Sequence, residues 1–199
     1  MEEFDPSTAE ELERPIMRDT LCAALFSADN LWYRVRIVSN AGRGEYEIKF
    51  IDYGNTEKVS EANLRKLPAH LLAYEPQAMQ AQLAYMRVPH IENTLGPQAG
   101  KYLQKNGLNM THDAIMVEST QNDKLQVILM EQGEEDWSNS LNAYMLSEGL
   151  AVLEKYVNSS ANSDVPEQVQ AWLEFQDEAR QGGIGLWQYG NAHGALDDD

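Results

Sequence analysis

A short stretch in the first half of the chain concentrates groups that bind cations. Residues 50–55 read Phe-Ile-Asp-Tyr-Gly-Asn, which combines two aromatic rings, a carboxylate, a turn glycine and an amide. Upstream, Phe26 and the pair Trp32-Tyr33 add rings at separations that adjacent strands of a small barrel bring together. An aromatic cluster with a carboxylate and an amide on its rim attracts a flat or bulky cation. The pattern therefore predicts a binding module.

The charge of the chain limits the partners that such a module can have. The 199 residues include 15 basic and 32 acidic side chains, for a formal net charge of −17. Such a surface repels phosphate backbones and anionic membranes, and it attracts basic polypeptides. We therefore expect this chain not to bind RNA strongly and not to bind membranes.

Cysteine, histidine and hydropathy patterns indicate no cofactor. Cys22 is the only cysteine and lies in an apolar run, which predicts a buried thiol and suits a reducing compartment. We expect a cytoplasmic location, with the nucleus as the alternative. The four histidines are scattered without metal-ligand spacing, and no phosphate-binding loop or nucleophile elbow is present. No apolar run approaches the ~20 residues of a membrane span, and the acidic first residues do not resemble a secretory signal.

Period-two alternation predicts a first, all-β domain over residues 19–75. On the strand Leu31–Val38 the alternation puts Arg34 and Arg36 together on a polar side. Residues 1–18 are predicted to be a linker or a frayed helix that Ser7 or Thr8 caps. The other strands of this small barrel are predicted over Leu21–Phe26, Glu45–Ile51, Thr56–Val59 and Leu64–Leu67.

A second domain with helices is predicted over residues 76–190, followed by an acidic tail over 191–199. The fold class is therefore α+β. Its predicted elements are a strand over Gln77–Val88, a helix over Gln98–Asn106, a hairpin of Ala114–Glu118 with Leu125–Met130, a helix over Trp137–Leu146 and a final helix that begins near Ser163 or Asp164.

Two motifs in the first domain resemble the signature of Tudor domains. These are the run Leu31–Arg36, which reads Leu-Trp-Tyr-Arg-Val-Arg, and the turn Asp-Tyr-Gly-Asn at 52–55. The second domain, with its segments 146–151, 178–180 and 185–190, resembles a staphylococcal-nuclease-like domain, an OB-type barrel packed on helices. Together they resemble the extended Tudor arrangement of the Tudor staphylococcal nuclease family. Since such an OB barrel needs more strands than residues 77–130 supply, we expect either an incomplete second barrel or a piece of a longer protein.

The resemblance implies a site and a ligand. Phe26, Tyr33, Phe50 and Tyr53 would be the walls of an aromatic cage, and Asn55 its polar contact. Phenylalanine at position 50 departs from the tyrosine that is frequent in the family. The implied ligand is methylarginine, symmetrically dimethylated, in Arg/Gly-rich tails of the spliceosomal Sm type or the Piwi/Argonaute type. The implied role is that of a scaffold in RNA-processing or RNA-silencing complexes.

Two alternatives stay open at the level of sequence. A nuclease or RNA-binding fragment would need arginines and carboxylates around a phosphate. After residue 75, however, the chain has only Arg87 and Arg180 as arginines, and 18 acidic against 6 basic residues. We therefore expect no enzymatic activity from this chain. A methyl-lysine reader is the other alternative, because an aromatic cage alone does not fix the cation.

Overall fold

The structure is a computed structural model that describes residues 4–90, 92, 95–117, 125–157 and 165–188. The chain divides into two compact units, unit 1 over residues 1–80 and unit 2 over residues 81–199. The division lies close to the predicted domain boundary after residue 75. The predicted acidic tail over 191–199 lies outside the described residues.

Unit 1 is built on a five-stranded antiparallel sheet with the barrel-like architecture that the sequence predicts. A 3-10 helix over Glu61–Asn63 joins the fourth strand to the fifth, and the short helix α1 covers Ala69–Leu72. The strands are β1 Leu21–Leu25, β2 Trp32–Gly42, β3 Glu45–Phe50, β4 Thr56–Ser60 and β5 Leu64–Arg65. Their order in the sheet is β4-β3-β2-β1-β5.

Both faces of this sheet are covered, so one expectation from the alternation on β2, a solvated polar side, is wrong for Arg34. One face forms the main core of unit 1, with Cys22, Val35 and Ile48 fully buried. Burial raises the pKa of the Cys22 thiol to about 12, as expected for an apolar site. On the other face Arg34 is buried, at 6% exposure, although the alternation predicts a polar, solvated position for it.

The N-terminal segment packs onto unit 1 and is not helical. Residues 4–18 are irregular, so the frayed helix that Ser7 or Thr8 would cap does not form. Asp5 instead accepts hydrogen bonds from the backbone N–H and the hydroxyl of Ser7, at 2.9 and 2.6 Å. Phe4 is buried against Trp32, with ring centroids 5.6 Å apart. Apolar burial therefore decides the path of this segment.

Unit 2 combines two small sheets with helices. Its elements are β6 Ala81–Leu83, β7 Met86–Arg87, α2 Gly96–Gly107, β8 His112–Val117, β9 Leu125–Glu131, α3 Leu141–Ser147, β10 Val152–Leu153, α4 Glu167–Gln170 and α5 Trp172–Gln181. A 3-10 helix covers Trp137–Asn139 and another Gly185–Trp187. In the larger sheet β6 pairs parallel with β9, and β9 pairs antiparallel with β8; β7 and β10 form the smaller sheet.

Three predicted elements of unit 2 are interrupted, one of them the final helix, which is divided at Ala171 into α4 and α5. The strand predicted over Gln77–Val88 is broken by Tyr85, whose φ of 64° turns the chain from β6 into β7. The helix predicted over Trp137–Leu146 is split at Ser140, which has an extended ψ of 154°. The Ser140 hydroxyl accepts a hydrogen bond from Ala143 N–H and so caps α3. The predicted cap of the last helix, Ser163 or Asp164, lies outside the described residues.

The core of unit 2 is centred on Trp172, whose side chain is fully buried. Asn142 is a buried polar residue within it. Its side-chain oxygen accepts from Leu129 N–H at 3.1 Å, and its nitrogen donates to the carbonyls of Ala84 and Val127 at 3.3 and 3.2 Å. Three hydrogen bonds satisfy the amide and tie α3 to β9 and to the turn between β6 and β7.

The described part of the chain has neither a membrane-spanning helix nor a cluster of metal-binding side chains. None of its helices is both long and apolar enough to cross a bilayer. Among the same residues, no group of three or more His, Cys, Asp or Glu side chains is placed to hold a metal ion.

Candidate functional site

Unit 1 brings together all four aromatic rings that the sequence singles out. Tyr33 contacts each of the other three, at centroid distances of 6.0 Å to Phe26, 5.9 Å to Phe50 and 5.3 Å to Tyr53. Phe26 and Phe50 also touch, at 5.1 Å, and all four contacts are edge-to-face. The Phe50 ring is 2% exposed and lies at the base, whereas Tyr53 is 67% exposed. We call these four rings the aromatic cluster.

A tight turn presents Tyr53 at the open side of the cluster. Gly54 N–H donates to the Phe50 carbonyl at 2.7 Å, and Phe50 N–H donates to the Asn55 carbonyl at 2.9 Å. Gly54 has a φ of 90°, a conformation that side chains disfavour and that explains the glycine in this turn. The turn therefore fixes Tyr53 and Asn55 on either side of a residue that only glycine fits well.

The loop between β1 and β2 places a carboxylate at the rim, which the sequence analysis missed. Tyr33 donates its hydroxyl hydrogen bond to Asp29 Oδ2 at 2.6 Å, and Leu31 N–H donates to Asp29 Oδ1 at 2.9 Å. The hydrogen bond to Asp29 is the main cause of the rise in the Tyr33 pKa to about 12. The Tyr33 phenol therefore keeps its proton at neutral pH, and Asp29 adds a negative charge beside the rings.

Arg34 anchors the turn from behind the sheet. Its guanidinium makes a bidentate pair with Asp52, with Nε 2.9 Å from Oδ2. It also donates to the carbonyls of Leu71, Tyr74 and Glu75, at 2.9, 2.6 and 3.0 Å. The hydrogen bond from Arg34 lowers the pKa of the Asp52 carboxyl. Asp52 thus fixes the turn through Arg34, a buried partner that period-two alternation does not reveal.

Asn55 and Glu57 lie on the same face as the base of the cluster. Glu57 pairs with Ile48 across β3 and β4, and paired residues of antiparallel strands share a face. The buried Oε2 atom of Glu57 has no hydrogen-bond partner among the described residues. Asn55 is exposed, and in the same described set its side-chain amide has no partner. The Asn55 amide is therefore free to meet a polar ligand, and Glu57 leaves a buried carboxylate oxygen unsatisfied.

Comparison with known proteins agrees with this architecture. The family model for the Tudor domain matches residues 1–85. The extended Tudor domain of Drosophila melanogaster Tudor-SN superposes with a TM-score of 0.77 at 22% identity, covering 90% of this chain and 80% of that one. The chain contains a Tudor domain and has the extended Tudor fold. The fold and the family resemblance predicted from the sequence are thereby confirmed.

Two further relatives of this extended Tudor chain are informative. Ribonuclease TUDOR 1 of Arabidopsis thaliana is 32% identical over 189 residues, which are 87% of this chain and 19% of that protein. The chain thus spans about a fifth of this curated relative's length. The extended Tudor domain of human TDRD1 is 26% identical, with a TM-score of 0.59 over 70% of this chain and 67% of that one. That domain was solved in complex with a symmetrically dimethylated E2F peptide.

Proposed function

We propose that unit 1 is a reader of dimethylated arginine, with Phe26, Tyr33, Phe50 and Tyr53 as cage walls and Asn55 as the polar contact. The observation that carries the proposal is the aromatic cluster. The Tyr33 ring contacts the other three, the Phe50 ring forms the buried base, and the Tyr53 ring forms the exposed rim. A methylated guanidinium is flat, cationic and more apolar than arginine, so it gains cation–π energy at about 0.5–2 kcal/mol per good ring contact.

The charge around the cluster favours arginine-rich partners. The rim carries the Asp29 carboxylate, and the whole chain has a net charge of −17. Flanking arginines of an Arg/Gly-rich tail are drawn to such a field, which accelerates association. The dimethylated peptide bound by the human TDRD1 domain supports the same ligand chemistry for this chain. By resemblance, Sm-type and Piwi/Argonaute-type tails are the partners to test first, in RNA-processing or RNA-silencing complexes.

Glu57 supplies a counter-charge in this proposal. A buried carboxylate oxygen without a partner is costly, and a ligand N–H that reaches it removes that cost. We expect Glu57→Gln to weaken binding of a symmetrically dimethylated Arg/Gly peptide by about tenfold, the equivalent of one charge-assisted hydrogen bond. Calorimetry measures the effect. The matched control is Glu45→Gln, which changes an exposed acid on β3. Equal affinities of the two variants for the peptide would show that Glu57 is not part of the binding site.

A peptide panel tests the proposed function itself. One Arg/Gly peptide is compared by fluorescence anisotropy with its symmetric and asymmetric dimethylarginine forms and with a trimethyl-lysine form. We expect the symmetric form to bind tightest, by about tenfold or more over the unmodified peptide. Equal affinity for unmodified and dimethylated arginine would refute the proposal. Tightest binding of trimethyl-lysine would establish the methyl-lysine alternative instead.

We infer further that this chain does not cleave RNA. Support comes from unit 2, where Arg87 is occupied by Glu154 at 3.8 Å and Arg180 lies over the Trp187 ring at 5.6 Å. The Glu154 carboxylate therefore offsets the charge of Arg87, which weakens its attraction for a phosphate. An RNA cleavage assay with and without calcium is expected to show no cleavage, and calcium-dependent products that disappear in Arg87→Ala would overturn the inference.

A further inference from the structure

Unit 2 contains a groove that the proposed cage does not use. It has a volume of about 660 Å³ and lies between α2, the segment that leads into β8, β9 and α3. Tyr102 of α2 and Tyr144 of α3 line it, together with Met110, Leu141 and Glu131. Met110 is more than half exposed, and Leu141 is buried beneath the groove. The groove therefore has an apolar floor and two aromatic side chains.

Three polar side chains of the groove are unused within the described part of the protein. Among the described residues, the hydroxyls of Tyr102 and Tyr144 and the carboxylate of Glu131 have no hydrogen-bond or ion-pair partner. Burial raises the pKa of Tyr102, and the nearby Glu148 carboxylate contributes to that rise. Two phenols and a carboxylate without partners in one groove are acceptors for a ligand that brings several donors.

The charge of the groove selects a cation. No lysine or arginine is found among its described lining residues. His112 lines it as well, but both of its ring nitrogens face backbone carbonyls, Nε2 at 2.9 Å from Asn106 and Nδ1 at 3.2 Å from Met130. The carboxylates at the groove are those of Glu131 and, beside Tyr102, Glu148. A negatively charged groove with aromatic faces suits a guanidinium, which stacks on rings and donates to carboxylates in its own plane.

We propose that this groove is a second peptide site, which binds unmethylated arginine side chains of a basic partner. The methylene stem of the arginine packs on Met110 and Tyr144, and the guanidinium reaches Glu131 and the two phenols. An arginine without methyl groups has all five donors available, so this site does not require methylation. The inference concerns unit 2 alone and stands whether or not unit 1 binds dimethylarginine.

The test uses the full chain with Tyr53→Ala in every variant, which removes the cage contribution in unit 1. The probe is an unmodified Arg/Gly peptide, and binding is measured by fluorescence anisotropy. We expect Glu131→Gln and Tyr144→Ala each to weaken binding by about two- to fivefold, the size of one exposed cation–π or ion-pair contact. Tyr144 is partly exposed on α3, and alanine favours helix, so this variant is expected to fold.

The matched control is Glu174→Gln, which removes one exposed acid from α5, outside the groove. A loss in Glu131→Gln no greater than in Glu174→Gln would overturn the proposal, because the attraction would then come from the general field of the protein. A peptide with every arginine replaced by lysine keeps its charge and loses the planar stacking. We expect it to bind more weakly, and equal binding would contradict a site built for arginine.

Discussion

Tyr53→Ala is expected to reduce the affinity for a symmetrically dimethylated Arg/Gly peptide by about tenfold or more, the loss of one full ring face from a cation site. The folded state should be little affected. Tyr53 is 67% exposed and contacts Tyr33 edge-to-face, so we expect its removal to change the free energy of unfolding by less than about 0.5 kcal/mol. Calorimetric titration and chemical denaturation measure the two quantities.

The control for this variant is Tyr74→Ala. Tyr74 has a similar exposure, 64%, and belongs to unit 1, but it is outside the aromatic cluster. Its backbone carbonyl, which accepts a bond from Arg34, is retained in the variant. Equal affinities of Tyr53→Ala and Tyr74→Ala for the dimethylated peptide would exclude Tyr53 from the binding site. A second comparison, Tyr33→Phe, keeps the central ring and removes only the hydroxyl that bonds to Asp29.

Arg34→Ala is expected to destabilise unit 1 by about 3–5 kcal/mol, the usual cost of removing one partner of a buried ion pair. The variant leaves Asp52 without its bidentate partner and frees three backbone carbonyls of residues 71–75. Since Asp52 lies in the turn that presents Tyr53, dimethylarginine binding should weaken as well. Chemical denaturation gives the change in stability, and hydrogen exchange locates it in the peptides that cover β2 and the turn.

The neighbouring arginine on the same strand is the matched control. The Arg36 side chain is 44% exposed and lies 3.8 Å from Asp19, so Arg36→Ala should cost less than about 1 kcal/mol. Similar losses of stability in the two variants would show that the Arg34 network does not hold the turn. Unchanged exchange at residues 50–55 in Arg34→Ala would lead to the same conclusion.

Sequence alone predicted the parts of the fold that depend on local pattern. The alternation correctly indicates the strands β2 and β3, which the structure pairs antiparallel with Val35 opposite Phe50. The glycine of the Asp-Tyr-Gly-Asn turn correctly indicates a conformation with positive φ at Gly54. The predicted final helix also appears, divided into α4 and α5, and it buries Val169 and Trp172 fully. These features follow from residue type and spacing within a short window.

What sequence could not predict depends on contacts between distant segments. Arg34 appears solvated because alternation says nothing about the segment 71–77 that covers the outer face of β2. Glu57 appears to be an ordinary surface acid until the register with Ile48 puts it on the inner face. The strand predicted over Gln77–Val88 breaks because Tyr85 is held at positive φ in a buried turn, with apolar residues on both sides of the break. The contacts that distant segments make, more than local propensity, decide the burial and conformation of these residues.

The most direct test of the cage is the resonance of the ligand's own methyl groups. A peptide with one symmetrically dimethylated arginine, ¹³C-labelled in its methyl groups, is titrated with the full chain and followed by NMR. Methyl groups against ring faces are shielded, so the account predicts an upfield shift at saturation that is reduced in Tyr53→Ala and retained in Tyr74→Ala. Methyl resonances that stay unshifted at saturation, in a peptide that is fully bound, would contradict an aromatic cage formed by Phe26, Tyr33, Phe50 and Tyr53.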